Sequence, residues 1–300
     1  MKSASRIVPI SGGFHVWTRQ VGESPIKVLI LHGGPGANHE YLEIFGDYLP
    51  PKGVEVYFYD QLGSYYSDQP DDPSLWNAER FREEVEEVRK YLGLEKFYLL
   101  GQSWGGFLGI EYALKYQHNL QGLIISNMTA SIPSYVKSIN ALREKLPPDQ
   151  VAMMKSYEAR GEFEAPEYLE LIDVLNKRHI CRLDPWPEPV VRGFAHINPA
   201  VYNTMQGANE FVVTGTFKDW DRWDDLHRIS VPTQLLVGRH DSMAPEDIEE
   251  MGRRIPHSRV GICENGSHLA MWDDAETYFD YLFRFLHDVE KGTFAVPTKA

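Results

Sequence analysis

The sequence predicts an α/β fold, a mostly parallel central sheet with helices on both faces and a helical segment inserted between two of its strands. Three observations carry that expectation. Short apolar runs of strand length recur through the first half of the chain, with helical patterns between them. That alternation stops near Thr129 and resumes near Val231. The sharpest glycine-rich motif stands directly after one apolar run and directly before a helical pattern, where a strand-to-helix turn belongs.

The first strand read from the sequence is Phe14–Val21, entered through the turn Ser11-Gly12-Gly13. Ile26–Leu31, Val54–Tyr59, 97–100 and Leu120–Ser126 follow as mostly apolar runs, suited to strands covered on both faces. Ahead of 97–100 lies an amphipathic helix, with Phe81, Val85, Val88 and Leu92 on one face and Glu83, Glu84, Glu86 and Glu87 assigned to the other. A second helix is expected over 107–116. From 129 to 227 helical stretches are broken by Pro147-Pro148 and by Pro185-Trp186-Pro187-Glu188-Pro189, with scattered aromatics. Strands resume at 234–238 and 259–263. The expected organisation is a core built from 1–128 and 228–300, with 129–227 as a helical cap over the site.

Composition narrows the class. The 300 residues can make one large domain, or one domain with an insertion. No apolar run approaches membrane-span length, and the first residues lack the apolar core of a signal peptide. Only Cys181 and Cys263 occur, far apart, as expected of reduced thiols in a cytoplasmic protein. Cys263 is expected in a buried strand. A net charge of −13 argues against nucleic acid and anionic membranes as partners. No metal-spaced His/Cys cluster is visible. Gly33-Gly34-Pro35-Gly36 has no following Lys-Ser/Thr and so is no phosphate cradle. No cofactor is expected.

Chemistry concentrates in two motifs. Gly101-Gln102-Ser103-Trp104-Gly105-Gly106 has the G-x-S-x-G pattern of a nucleophile elbow, a sharp turn that lifts the Ser103 hydroxyl above the sheet edge. A nucleophilic serine needs N–H donors for the developing oxyanion. One is the N–H of Trp104. The other is expected from His32-Gly33-Gly34-Pro35-Gly36, where Pro35 has no N–H and Gly34 is the candidate. The base is expected at His268, in Asn265-Gly266-Ser267-His268. Its orienting acid is expected at Asp241, after the 234–238 strand. The resulting order Ser, Asp, His is that of the α/β-hydrolase fold. His240, the rival base, is adjacent to Asp241 and expected to point elsewhere. His32 is expected to brace the oxyanion turn. Serine at the elbow disfavours epoxide hydrolase and haloalkane dehalogenase chemistry, which need aspartate there.

On these motifs the chain resembles the proline iminopeptidases, in the branch that includes tricorn-interacting aminopeptidases and bacterial L-amino-acid amidases. More specific to that resemblance are Asn209-Glu210-Phe211, Thr214-Gly215-Thr216, Lys218-Asp219-Trp220-Asp221, and Ser267-His268-Leu269 leading into Met271-Trp272. The resemblance implies that Glu210 binds the free α-amino group of the substrate and that Tyr202 lies in the same site. It departs at two positions. Tyr65 stands where the family has glycine, and Ser242 where some relatives carry a second amine-binding glutamate. The aromatics Trp186, Phe194, Tyr202, Phe211, Trp220 and Trp223 are candidates for an apolar slot, with two or three at most expected to touch substrate. The resemblance implies a serine aminopeptidase that releases an N-terminal residue, proline preferred, from short peptides, amino-acid amides or arylamides through an acyl-enzyme. A carboxylesterase or lactonase using the same triad, and a hydrolase-fold ligand receptor with little turnover, stay open at this point. Oligomeric state is not legible.

Overall fold

The structure, a computed structural model, describes residues 2–295. Its strands are β1 (Ser3–Ile10), β2 (Phe14–Val21), β3 (Ile26–Leu31), β4 (Val54–Tyr59), β5 (Phe97–Gln102), β6 (Leu120–Ser126), β7 (Thr233–Gly238) and β8 (Ser258–Cys263). They form one sheet in the order β1-β2-β4-β3-β5-β6-β7-β8. β2 pairs antiparallel with β1 and with β4, and every other pairing is parallel. The sequence reading missed β1. Only Val8 and Ile10 of that strand are buried, too short an alternation to register, and Pro9 fits an edge strand because the edge needs no ladder donor there.

Helices α1 (Ile44–Tyr48), α2 (Ala78–Leu92) and α3 (Trp104–Tyr116) alternate with the first strands, and α9 (Pro245–Arg254), α10 (Ala270–Asp273) and α11 (Ala275–Glu290) with the last. Between β6 and β7 lie α4 (Ile132–Arg143), α5 (Pro148–Arg160), α6 (Pro166–His179), α7 (Glu188–Ala195) and α8 (Pro199–Met205). The two ends of this insertion are tied together. Ile132 N–H donates to the Trp220 carbonyl (2.9 Å), and Arg222 N–H donates to the Ala130 carbonyl (2.8 Å). Trp220 also stacks on Phe107 of α3 at 3.9 Å, which seats the insertion on the core.

Helix α2 corrects one expectation. Glu84 and Glu86 are buried, not solvated. Glu84 pairs with Arg80 (2.5 Å) and accepts from the Tyr59 hydroxyl; Glu86 pairs with Arg89 and accepts from the Tyr112 hydroxyl. The helix therefore fastens to its neighbours through paired carboxylates, the condition under which a buried charge is tolerated, although Glu84 Oε2 has the ion pair with Arg80 and no hydrogen bond. Both cysteines are buried and free. Among the described residues no helix is long and apolar enough to cross a membrane, and no group of three metal-ligating side chains gathers.

Candidate active site

β5 ends and α3 begins within one residue. Ser103 makes that turn at φ 54°, ψ −124°, a strained setting for a non-glycine residue. It is held by its N–H on the Ser126 carbonyl (2.9 Å) and by its own carbonyl, which accepts from Gly106 (2.7 Å). The glycines of the motif are steric requirements. A Cβ on Gly105 would lie 2.1 Å from the Leu31 carbonyl oxygen, and one on Gly101 would lie 2.0 Å from the Gly105 carbonyl oxygen. Trp104 is the first residue of α3, so its N–H is among those the helix cannot satisfy internally.

The turn after β3 is where the second donor is expected. Gly33 N–H is donated to the Tyr41 hydroxyl, and Gly34 follows it at φ 50°. Tyr41 in turn donates to Gln102 Oε1 (2.7 Å), and Gln102 Nε2 donates to the His268 carbonyl (3.0 Å). One tyrosine and one glutamine thus join the turn after β3, the elbow and the histidine loop. The sequence reading assigned neither, although Gln102 lies inside the elbow motif. His32 braces the same turn: its ring is within hydrogen-bond distance of the Gly33 carbonyl at Nδ1 (2.9 Å) and accepts from Gln61 N–H at Nε2 (3.1 Å). Burial pushes its pKa down and keeps the ring neutral.

His268 Nδ1 lies 2.8 Å from Asp241 Oδ1. The Asp241 carboxylate also accepts from Asn127 Nδ2 (2.7 Å), Met243 N–H (3.0 Å) and the Ser242 hydroxyl (3.3 Å). Asn127 is itself fixed. Ser126 Oγ donates to its Oδ1 (2.7 Å), and the Tyr278 hydroxyl donates to Ser126 Oγ (2.9 Å). Asn127 and Ser103 are the only non-glycine residues of positive φ among those described. Burial opposes a charge on His268, but the Asp241 carboxylate outweighs it, aided by Glu210, and the pKa is raised. His240 is exposed, and its carbonyl accepts from His179 Nδ1 (2.9 Å).

The insertion brings Glu210 over this constellation. Its Oε1 is 2.6 Å from the Tyr135 hydroxyl and 3.9 Å from His268 Nε2; its Oε2 is 3.3 Å from the Tyr202 hydroxyl. Burial, then the Glu210 charge, pushes both phenols well above their ordinary pKa, so they stay donors. A cavity of about 240 Å³ is lined by Gly34, Ser103, Phe194, Tyr202, Glu210 and His268 among others. A narrower recess adjoins it, sharing Gly34, Ser103 and Glu210 and adding Trp104, Tyr135, Phe217 and Met243.

Of the six candidate aromatics, Phe194 and Tyr202 line the larger cavity. Phe211 is buried in the core, Trp186 donates to the Cys181 carbonyl, and the Arg254 guanidinium lies over Trp223. Tyr65 adopts ordinary backbone and stacks on His196 at 3.8 Å, so a glycine is not needed there. Ser242 is buried, with its hydroxyl on Asp241.

Residues 27–275 match a family model described as the alpha/beta hydrolase fold. A protein of Elizabethkingia meningoseptica named proline iminopeptidase is 46% identical over 297 residues, covering 96% of this chain and all of that one. The crystal structure of proline iminopeptidase from Mycobacterium smegmatis superposes with a TM-score of 0.89 at 32% identity, covering 96% of this chain and 99% of that one. The crystal structure of VinJ superposes with a TM-score of 0.91 at 34% identity, covering 95% and 99%. The chain belongs to the α/β-hydrolase family and, within it, to the proline iminopeptidases.

Proposed function

We propose that this protein is a serine aminopeptidase that releases N-terminal proline from short peptides, and the corresponding amides and arylamides, with Ser103 as nucleophile, His268 as base and Asp241 as its orienter. The observation that carries the reading is the meeting of Ser103, His268 and Glu210 in one cavity. A carboxylate one side chain away from the nucleophile can hold the ammonium of the same residue whose carbonyl is attacked. An esterase needs no such anchor.

Ser103 Oγ attacks the carbonyl carbon as His268 Nε2 takes its proton. Asp241, hydrogen bonded at Nδ1, keeps the imidazole in the tautomer that leaves Nε2 free and then stabilises the imidazolium. The N–H groups of Gly34 and Trp104 hold the oxyanion. His268 returns the proton to the departing amine, and water, activated the same way, releases the prolyl group from Ser103. The leaving group must pass His268, which lines the larger cavity and not the narrow recess. The proline ring is therefore assigned to the side of the cavity that meets the recess, whose own volume of about 20 Å³ is that of a water site and whose walls are Trp104, Tyr135, Phe217 and Met243. Glu210 and Tyr202 hold its nitrogen.

Residues 129–227 act as the cap in this scheme, closing the cavity and contributing Tyr135, Tyr202 and Glu210 to it. A cytoplasmic location belongs to the same reading, supported by two unpaired buried thiols. The test is an initial-rate panel of aminoacyl arylamides, each with and without an N-acetyl block. Prolyl arylamide is expected to be turned over fastest and its N-acetyl derivative hardly at all. Equal rates on the two would refute the reading.

A further inference from the structure

Glu210 faces two things at once. One oxygen lies among the hydroxyls where the amine is placed, and Oε1 also lies 3.9 Å from His268 Nε2, the nitrogen that must accept the Ser103 proton. A carboxylate in that position stabilises the protonated, idle form of the base. We propose that Glu210 couples amine recognition to activation of the base: unoccupied, it holds His268 as the imidazolium, and when the substrate ammonium takes the carboxylate, Nε2 releases its proton to solvent and becomes competent. This rests on the reading of Glu210 as the amine anchor.

The other groups around the imidazole do not share this double exposure. Asp241, from the loop after β7, is engaged by His268, Asn127, Ser242 and Met243. Asp273, on α10, raises the His268 pKa more weakly and is engaged by Ser267 and by the Arg182 N–H. His179, at the end of α6, offers His268 only its carbonyl, and its own ring is turned to the His240 carbonyl. Around Glu210 the titratable neighbours are Tyr135 from α4, Tyr202 from α8 and, further off, Tyr41, all protonated donors at working pH. Of the carboxylates acting on His268, only Glu210 lines the substrate cavity, so only its charge is compensated when an ammonium binds. A substrate without a free amine leaves the base in its idle state at acid pH. Recognition and reactivity then become one event, and selectivity for a free amine appears in kcat as well as in KM.

The experiment compares acid limbs of pH–rate profiles. The kcat/KM limb reports the free enzyme and the kcat limb the occupied one. For wild type on L-prolyl p-nitroanilide, the kcat limb is expected about one pH unit below the kcat/KM limb. On p-nitrophenyl acetate, which has no amine, the wild-type kcat/KM limb should coincide with the kcat/KM limb on the anilide. Glu210→Gln should move it down by about one pH unit. Coinciding kcat and kcat/KM limbs in wild type overturn the proposal without any variant. If Glu210→Gln loses discrimination against N-acetylprolyl anilide but its ester limb stays in place, the anchor stands and the coupling falls. If it keeps that discrimination, the anchor reading falls and the coupling with it.

Discussion

The sheet edge and the insertion contribute to the same cavity by different physical means. At the sheet edge, position is set by backbone. Ser103 is strained at a turn flanked by glycines that admit no Cβ, Gly34 sits on an adjoining turn, and Asp241 and His268 follow the ends of adjacent parallel strands. In the insertion, position is set by side chains meeting across distance: Glu210 is oriented by hydroxyls from α4 and α8. The first arrangement can change little without breaking the fold. The second can be retuned by single substitutions. On the proposed function, reactivity belongs to the core and selectivity to the insertion, and mutations should separate them.

The largest effect tests the core. Ser103→Ala should fold normally and lose about 10⁵- to 10⁶-fold in kcat, because the three residues act as a unit. His268→Ala should lose a similar factor, and the double variant little more. Losses are read as kcat on prolyl arylamide beside an unchanged thermal melt. Additive losses would remove His268 as the partner of Ser103.

The next effect tests the insertion. Glu210→Gln keeps the shape and removes the charge. Truncating one partner of a buried charge pair costs about 2–5 kcal/mol, a factor of about 30 to several thousand. That loss should fall on kcat/KM for free-amine substrates and far less on simple esters at pH above the acid limb. Equal losses on both would make Glu210 a structural support of the cap and return the esterase reading to favour.

A third effect joins the two regions. As the proposed base, His268 must be neutral to act, and Asp241 and Glu210 raise its pKa. Activity should therefore rise with pH through a limb above about 6.5, losing about tenfold for each pH unit below it. On the alkaline side kcat/KM should fall again as the substrate amine loses its proton. A profile flat past that point would count against recognition of a charged N-terminus.

The same division explains what could be read in the sequence. Ser103, Gly34, Asp241 and His268 stand in short local contexts, each just after a strand, and spacing alone suggested them. Tyr41, Asn127 and Tyr135 act across 61, 114 and 75 residues, onto Gln102, Asp241 and Glu210 respectively. No window contains both partners, so no pattern announced them. Glu84 and Glu86 were misassigned for the same reason as regards their tyrosine partners, Tyr59 and Tyr112, which lie 25 and 26 residues away, whereas their arginine partners lie within the same helix. Glu210 and Tyr202 came only from family resemblance, which stores long-range geometry that composition and periodicity do not.

The smallest expected effect concerns Ser242, where the insertion meets the core. Its hydroxyl lies 3.3 Å from Asp241 Oδ1, and its carbonyl accepts from Ser138 of α4 (2.8 Å). On the proposed function the cavity holds one carboxylate for the amine, Glu210. A single charge recognises an ammonium but discriminates it less from a neutral nitrogen, so amides and both primary and secondary amines should be accepted. Ser242→Glu adds a second acid. It should sharpen the preference for free-amine over N-acetylated prolyl arylamide by about tenfold or less, in line with a rim-to-buried charge contact. The new carboxylate is introduced beside Asp241 in a buried position, so stability should fall by about 1–3 kcal/mol. A further carboxylate near the base should also push its acid limb to higher pH. The decisive quantity is the ratio of kcat/KM for the free and blocked substrates in wild type, Glu210→Gln and Ser242→Glu. A ratio that falls in Glu210→Gln and does not rise in Ser242→Glu would show that one anchor saturates amine selectivity, and that the serine reflects packing against Asp241 instead of a relaxed specificity.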